Sequence, residues 1–185
     1  MRSPESLSLA LVAAALGLSL PAQSTTYGLG RAPKPGEIEM WDIAISPDGK
    51  ELPRGSGTAI EGGKVYAANC AACHGKTGTE GPNDVLVGGQ GSLNTKKPVK
   101  TIGSYWPYAT TVWDYINRSM PYNKPGSLSA DEVYAVTAHL LFLNGIIRKD
   151  ELMNAKTLPQ VKMPNRNGFI ADPRPDWNIG GSSRR

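Results

Sequence analysis

The clearest hydrophobic pattern in the chain is helical and lies in residues 127–144. Apolar side chains recur there at spacings of three and four residues, namely Val133, Val136, Leu140 and Leu143. This spacing places them on one face of an amphipathic helix. Ser127 or Ser129 can cap the start of this helix, and Asn144-Gly145 is a typical helix end. We therefore predict a helix over 127–144.

A second helical pattern covers residues 58–74. Thr58 and Glu61 have the spacing of a capping box, which favours a helix start at this point. Gly62 and Gly63 lower the helix propensity of the same segment. A close backbone contact with another helix would explain why glycine is used there.

A third helix is predicted within residues 105–119. It follows the glycine-rich stretch 75–104, which we expect to be a long functional loop. Pro107 suits the first turn of a helix. The apolar residues that share one face of the pattern are Val112, Tyr115 and Ile116, with Trp113 beside them.

Residues 1–24 have the features of an export signal. Arg2 precedes an apolar run from residue 7 to residue 20, which is too short to span a bilayer comfortably. An uncleaved membrane anchor is the alternative interpretation. We predict an exported, periplasmic protein with no permanent membrane span once the signal is removed.

The segments flanking the three helices are rich in proline. Residues 25–57 are interpreted as an N-terminal arm in which a short strand pattern, Trp41-Asp42-Ile43-Ala44-Ile45-Ser46, lays Trp41 on the main domain; a solvated leader is the alternative. Residues 148–185 are interpreted as an extended tail with a helical turn within 152–158. Its predicted apolar anchors are Met163, Phe169, Ile170 and Trp177.

The strongest chemical motif is Cys70-Ala71-Ala72-Cys73-His74. The spacing C-x-x-C-H is that of a covalent c-type haem site, in which each thiol forms a thioether and the histidine binds iron. A zinc site needs about four ligands, whereas the chain has two cysteines and two histidines. A redox dithiol or a simple disulfide explains Cys70 and Cys73 but not His74. We predict one covalent haem c.

A methionine is the expected sixth ligand of such a haem. Met120 is our first choice because it lies in a loop between two predicted helices, after the haem motif. Met163 is its rival, since both residues precede a proline. His139, inside the helix 127–144, is expected to pack rather than to bind the metal.

Three further residues are candidates for the haem environment. A backbone carbonyl at or near Pro82 is expected to accept the Nδ1–H of His74 and so fix its tautomer; a simple turn proline is the alternative. Tyr105 and Trp106 are expected to line the haem or bond a propionate. Both aromatic residues could equally belong to the core.

Composition and charge exclude some classes of function. The 185 residues carry a formal net charge of +4 and have no block of Lys and Arg, so nucleic-acid binding is not expected. The chain has 21 Gly and 15 Pro, which predicts much irregular backbone. The length favours one domain.

Residues 58–147 together resemble a class I cytochrome c. In that family a glycine lies eight residues before the first cysteine and an aromatic residue lies four before it, which Gly62 and Tyr66 match. The resemblance implies an all-α fold around one haem, with Pro82 supporting the proximal histidine and Met120 as distal ligand. In the family the C-terminal helix crosses the first helix at the glycine that Gly62 matches, and the C-terminal helix commonly has a tyrosine there. This chain departs from that pattern because it has His139 at the corresponding position.

Segments outside the haem motif resemble a narrower bacterial group. This group comprises the cytochrome subunits and partners of periplasmic molybdenum sulfite dehydrogenases, together with the sulfur dehydrogenase cytochrome of thiosulfate oxidation. The latter usually has two haem domains, whereas this chain has one C-x-x-C-H. The matching segments are Trp41-Asp42-Ile43, Ser46-Pro47-Asp48-Gly49-Lys50, Leu52-Pro53, Gly55-Ser56-Gly57, 102–111, Asp114-Tyr115-Ile116, 163–169 and 172–176.

The narrower resemblance implies a function in electron transfer. It implies that the haem accepts electrons from the catalytic subunit of a molybdenum sulfite dehydrogenase and passes them to a downstream cytochrome or oxidase. The alternatives are a free carrier for another periplasmic dehydrogenase, a haem enzyme such as a thiosulfate dehydrogenase, and a haem-based sensor.

Overall fold

The computed structural model describes residues 27, 29–170 and 172. The chain divides into two compact units, residues 1–41 and 42–185. In the described part of the first unit, residues 35–41 form turns, and Arg31 pairs with Glu37 at 2.7 Å. The export signal predicted for 1–24 and the anchor Trp177 lie outside the described residues.

The second unit is mainly helical, as predicted. Its described residues also form a two-stranded antiparallel sheet and one 3-10 helix. The helices are α1 (Ala59–Asn69), α2 (Ala71–His74), α3 (Ala109–Ser119) and α4 (Ala130–Leu143), the strands β1 (Ser56–Gly57) and β2 (Met153–Asn154), and the 3-10 helix Leu158–Gln160.

Local sequence signals explain where α1 and α4 begin and end. Thr58 and Glu61 form the expected capping box, in which the Thr58 amide donates to the Glu61 carboxylate at 2.8 Å. Ser129 caps α4 in the same way with Glu132. Helix α4 ends at the predicted place, where Gly145 adopts a φ of +68° that favours glycine.

Helices α1 and α4 cross at a glycine, as its position in the sequence predicts. A Cβ atom added to Gly62 would lie 1.8 Å from the carbonyl oxygen of Ala135, so no side chain fits between the two backbones. Val133, Val136 and Leu141 of α4 are fully buried. The core extends to α3, where the ring of Trp113 packs 5.4 Å from that of Tyr134.

Two predictions for the flanking segments were wrong. Residues 41–46 form a turn and irregular backbone instead of a strand. The amide of Ile45 instead donates to the Asp114 carboxylate of α3 at 3.0 Å. The helical turn expected within 152–158 is replaced by β2 and a turn, because β2 pairs with β1 about a hundred residues earlier. The position of Trp41 as a clasp stays a prediction.

The described part of the tail contributes partly different side chains to the core than predicted. Met163 is buried, with 3% of its surface exposed, whereas Phe169 is 53% and Ile170 91% exposed. Leu158 of the 3-10 helix is fully buried, although the sequence did not single it out as an anchor. The tail residues up to Met163 are therefore part of the packed domain.

Within the described residues, no helix is both long enough and apolar enough to cross a membrane.

Candidate functional site

The haem motif lies at a break between two helices. Cys70, with a φ of −121°, interrupts the helical backbone after α1, and α2 follows immediately. The amides of Cys73 and His74 both donate to the Cys70 carbonyl, at 3.1 and 3.0 Å. The two thiols and the imidazole therefore lie within one helical turn, as the motif predicts.

The loop after the motif is held close to it by backbone contacts. Gly75 turns the chain with a φ of +80°, and the Tyr66 hydroxyl donates to its carbonyl at 2.9 Å. A Cβ atom added to Gly81 would lie 2.2 Å from the carbonyl oxygen of Cys73. The Asn83 amide donates to that same carbonyl at 3.0 Å. These contacts bring the loop back to His74.

His74 is oriented by a carbonyl of this loop. Its Nδ1 donates to the Asp84 carbonyl oxygen at 2.9 Å, since a carbonyl can only accept a hydrogen bond. The other ring nitrogen, Nε2, then carries the lone pair that binds a metal. The acceptor lies two residues after Pro82, so the prediction of a carbonyl near Pro82 held, but the assignment to the Pro82 carbonyl was wrong.

The two cysteines are free thiols with different surroundings. Cys70 is half-buried, and this burial, together with a smaller effect of Cys73, raises the pKa of the Cys70 thiol to about 11. The described residues contain no cluster of three or more His, Cys, Asp or Glu that could hold a metal ion.

Met120 terminates α3, and its amide donates to the Ile116 carbonyl at 3.0 Å. Its side chain is only partly buried and packs against the same core as Cys70. The rival Met163 is 3% exposed, as is Met153, so both side chains are already enclosed by protein. Met120 is thus the better-placed of the three for binding an added group.

Tyr105 and Trp106 are half-buried and contact different parts of the protein. The ring of Trp106 packs edge-on against that of Tyr115 in α3, with 5.6 Å between centroids. The ring of Tyr105 packs against Phe169 of the tail at 5.3 Å. Trp106 therefore packs against α3, the helix that Met120 follows, whereas Tyr105 contacts the tail.

Comparison with known proteins identifies the family. Residues 57–140 match the family of cytochrome c oxidase, cbb3-type, subunit III. A chain in the crystal structure of the sulfane dehydrogenase SoxCD from Paracoccus pantotrophus is 46% identical, with a TM-score of 0.73; the match covers 86% of this chain and 79% of that chain. The protein is a class I cytochrome c. No curated protein sequence matches it significantly.

Membership of this family implies a haem, and the described residues of the cytochrome fit one. Two thiols, an imidazole with its Nε2 lone pair available, and a thioether form a suitable donor set. Several apolar side chains pack against the core but stay partly exposed, so that an apolar ring could still cover them. They include Ala71, Leu86 and Trp106.

His139 of the cytochrome packs between helices. Its Nδ1 donates to the Ala59 carbonyl at 3.2 Å, and its ring lies 5.3 Å from that of Tyr66. Ala59 begins α1 and is about 16 Å along the helix from Cys70. The prediction that His139 packs rather than binds the metal agrees with these contacts.

Sequence reasoning missed Asn144 as a residue that shapes the loop. Its side chain donates to the Leu86 carbonyl at 3.2 Å and accepts from the Gly88 amide at 3.0 Å. The backbone carbonyl of Asn144 accepts a hydrogen bond from the side-chain amide of Gln90 at 3.1 Å. In the sequence Asn144 has only the signature of a helix end, so no local signal reveals these contacts.

Proposed function

We propose that this cytochrome is a periplasmic electron-transfer protein with one covalent haem c. The thiols of Cys70 and Cys73 would attach the haem, and His74 and Met120 would be the axial ligands. The observation that carries the proposal is the hydrogen bond from His74 Nδ1 to the Asp84 carbonyl, which presents Nε2 as a ligand beside two thiols on one turn. Bound haem supplies reversible one-electron chemistry.

The residues of the chain would control this chemistry in distinct ways. His74 is held in one tautomer by Asp84, which increases the basicity of the ligating nitrogen. A thioether ligand such as Met120 raises the reduction potential of the iron. Partly exposed apolar side chains such as Leu86 and Trp106 would exclude water if the haem covered them, and a lower local dielectric would further favour the less charged, reduced state.

The proposed donor is the catalytic subunit of a molybdenum sulfite dehydrogenase, and the acceptor is a downstream cytochrome or oxidase. The resemblance of segments outside the haem motif supports this donor. The similarity to a chain of the sulfane dehydrogenase SoxCD supports a sulfur-oxidising partner more generally. It also favours a second candidate, in which the donor oxidises sulfane sulfur.

The first experiment is a metal count on the protein purified from its native cells. Molybdenum at about one atom per haem iron is expected if the donor is a permanent subunit; iron alone would indicate a free carrier. Sulfite added with the dehydrogenase should then convert the oxidised haem spectrum to the reduced one. Reduction only by a sulfane-sulfur substrate would select the second candidate, and reduction by neither would reject the proposal.

The ligand assignment is tested by Met120→Ala. Removing the thioether should lower the reduction potential and leave a coordination position open, so that the reduced protein binds about one carbon monoxide per haem. The measurements are a potentiometric titration and a carbon monoxide titration followed by absorbance.

Met163→Leu is the matched control, because Met163 is buried in the core and a Leu of similar volume is tolerated there. This variant should keep the wild-type potential and stay closed to carbon monoxide. If Met163→Leu instead opens the iron, the assignment of Met120 is wrong.

A further inference from the structure

Two segments of the second unit contain cations but no carboxylates. Between Val85 and Trp113 the chain has three lysines and no Asp or Glu. Between Leu152 and Ile170 it has two lysines and one arginine, again with no acidic residue. The cations are Lys96, Lys97, Lys100, Lys156, Lys162 and Arg166.

The fold joins these two segments around a pair of tyrosines. The side-chain amide of Asn165 donates to the Tyr105 carbonyl at 2.7 Å. The guanidinium of Arg166 lies 4.3 Å from the centre of the Tyr108 ring, and the Lys100 ammonium lies 5.1 Å from that of Tyr105. Two cations that are 66 positions apart in sequence therefore lie over the rings of two tyrosines that are three positions apart in the chain.

We call Lys100, Tyr105, Tyr108, Arg166 and Phe169 the basic–aromatic face. Phe169 packs on Tyr105 yet stays 53% exposed. Aromatic residues and arginine are the types enriched in protein interfaces, and cations over aromatic rings keep their charge available at the surface. The composition of this face is therefore that of a docking site.

The positive charge of this face is not neutralised within the described part of the chain. The ion pairs found there lie elsewhere, for example Lys50 with Asp48 at 2.6 Å and Arg148 with Asp150 at 3.5 Å. Neither Lys100 nor Arg166 takes part in an ion pair among the described residues. A partner with carboxylates at its surface would supply the missing counter-charges.

We propose that the basic–aromatic face docks an acidic surface of the protein that donates electrons to this cytochrome. This inference rests on the proposed function. Trp106 follows Tyr105 directly and packs on Tyr115 in the helix that ends at Met120. A donor bound at this face would thus contact the segment next to the proposed haem lining, which shortens the path for the electron.

The test compares two double variants of the haem-loaded protein. Lys100→Gln/Arg166→Gln removes two charges from the face, and Lys64→Gln/Lys149→Gln removes two charges from exposed positions in α1 and after α4. The second-order rate of haem reduction is measured by stopped flow. The donor is the sulfite-oxidising molybdenum dehydrogenase from the same cells, kept reduced with sulfite, over a range of salt concentrations.

We expect the face variant to be reduced about three- to tenfold more slowly than wild type at low salt, because steering by complementary charge sets the association rate. The reduction rate of the control variant should decrease much less. The difference should vanish near 1 M salt, where charges are screened within about 3 Å. Equal losses in the two variants would overturn the inference, since net charge alone would then explain them.

A second probe separates this inference from the proposed function. If the dehydrogenase fails to reduce the wild-type haem, the donor assignment is wrong. The oxidation rate of the reduced haem by anionic ferricyanide then tests whether the basic–aromatic face attracts a negatively charged reaction partner. A lower oxidation rate in the face variant alone supports this inference, and equal oxidation rates in the two variants reject it. Face-dependent binding to phosphatidylserine vesicles with unchanged electron transfer would assign the face to a membrane and also reject the inference.

Discussion

His139 shows how a single side chain is defined by packing rather than by its chemistry. It is half-buried between α1 and α4, and this desolvation lowers the pKa of its imidazole; the weaker, opposing effect is the hydrogen bond to the Ala59 carbonyl. The ring of Tyr66 covers one side of it. His139 is therefore held neutral in the folded protein over a wider pH range than a free histidine.

This lowered pKa predicts a pH-dependent stability. The unfolded chain takes up a proton on His139 at its ordinary pKa of 6.5, before the folded protein does. The contribution of His139 to the free energy of unfolding is thus fully present above this pH. It decreases as the pH falls from 6.5 to the lower pKa of the folded state.

Urea unfolding of the haem-loaded protein at a series of pH values measures this dependence. His139→Phe is the comparison, because it keeps a ring in the helix contact and removes the titrating group. The variant should lose the slope just below pH 6.5. An identical slope in both proteins would show that another group is responsible.

At the scale of single residues, the sequence indicates which side chains could bind a cofactor better than it indicates their hydrogen-bond partners. The hypothesis that Cys70, Cys73 and His74 attach a haem rests on their spacing alone, because covalent haem attachment needs these residue types at these positions, and it stays a prediction. The acceptor of the His74 hydrogen bond was expected near Pro82, and the family resemblance placed it at Pro82 itself, two residues before the Asp84 carbonyl that accepts it. Every residue of the loop carries a backbone carbonyl, so residue types do not reveal which one is used.

At the scale of secondary structure, the contact between α1 and α4 depends on one glycine. Gly62 meets the backbone of Ala135, whereas Gly63, on the neighbouring side of α1, meets only the His139 ring at 3.4 Å. Both glycines reduce helix propensity by similar amounts, about 1 kcal/mol relative to alanine. Only the first is required by the close approach.

Substituting each glycine by alanine separates these two effects. Gly62→Ala should lower the free energy of unfolding by about 2–4 kcal/mol, because its methyl group overlaps the Ala135 carbonyl and forces the helices apart. Gly63→Ala should be neutral or stabilise by up to about 1 kcal/mol. Thermal and urea unfolding measure the free energy of unfolding of both variants. Equal effects of the two substitutions would contradict the crossing of α1 and α4 at Gly62.

Helix boundaries were predicted well where caps are local. Three such signals can be recognised in the sequence because each involves residues within three or four positions of one another. They are the capping boxes at Thr58 and Ser129 and the turn at Gly145. The strand expected at 41–46 failed because alternation over six residues does not define a strand without a partner. The Ile45 amide instead bonds Asp114.

At the scale of the whole molecule, the tail up to Met163 is part of the packed domain. Strand β2 pairs with β1, and Met153, Leu158 and Met163 are each at most 3% exposed. Burying three such side chains contributes about 5–9 kcal/mol in total. This is comparable to the net stability of a typical domain, about 5–15 kcal/mol.

A truncation series tests the contribution of the tail. A chain that ends at Lys149 should lose cooperative unfolding, because it lacks β2 and all three buried side chains. A chain that ends at Asp172 keeps them and should unfold within a few degrees of the full-length protein. The measurement is thermal unfolding followed by haem absorbance, and a stable chain ending at Lys149 would show that residues 58–147 suffice.

The sequence by itself determined the C-x-x-C-H motif, the approximate positions of the three principal helices, and the caps of α1 and α4. These features depend on residues a few positions apart, whose chemistry or spacing is distinctive. Only the tertiary structure decided the Asp84 carbonyl as partner of His74, the pairing of β1 with β2, and the placement of Arg166 over the Tyr108 ring. Such contacts join residues far apart in the chain through groups that many residues share, so only the packed fold selects them.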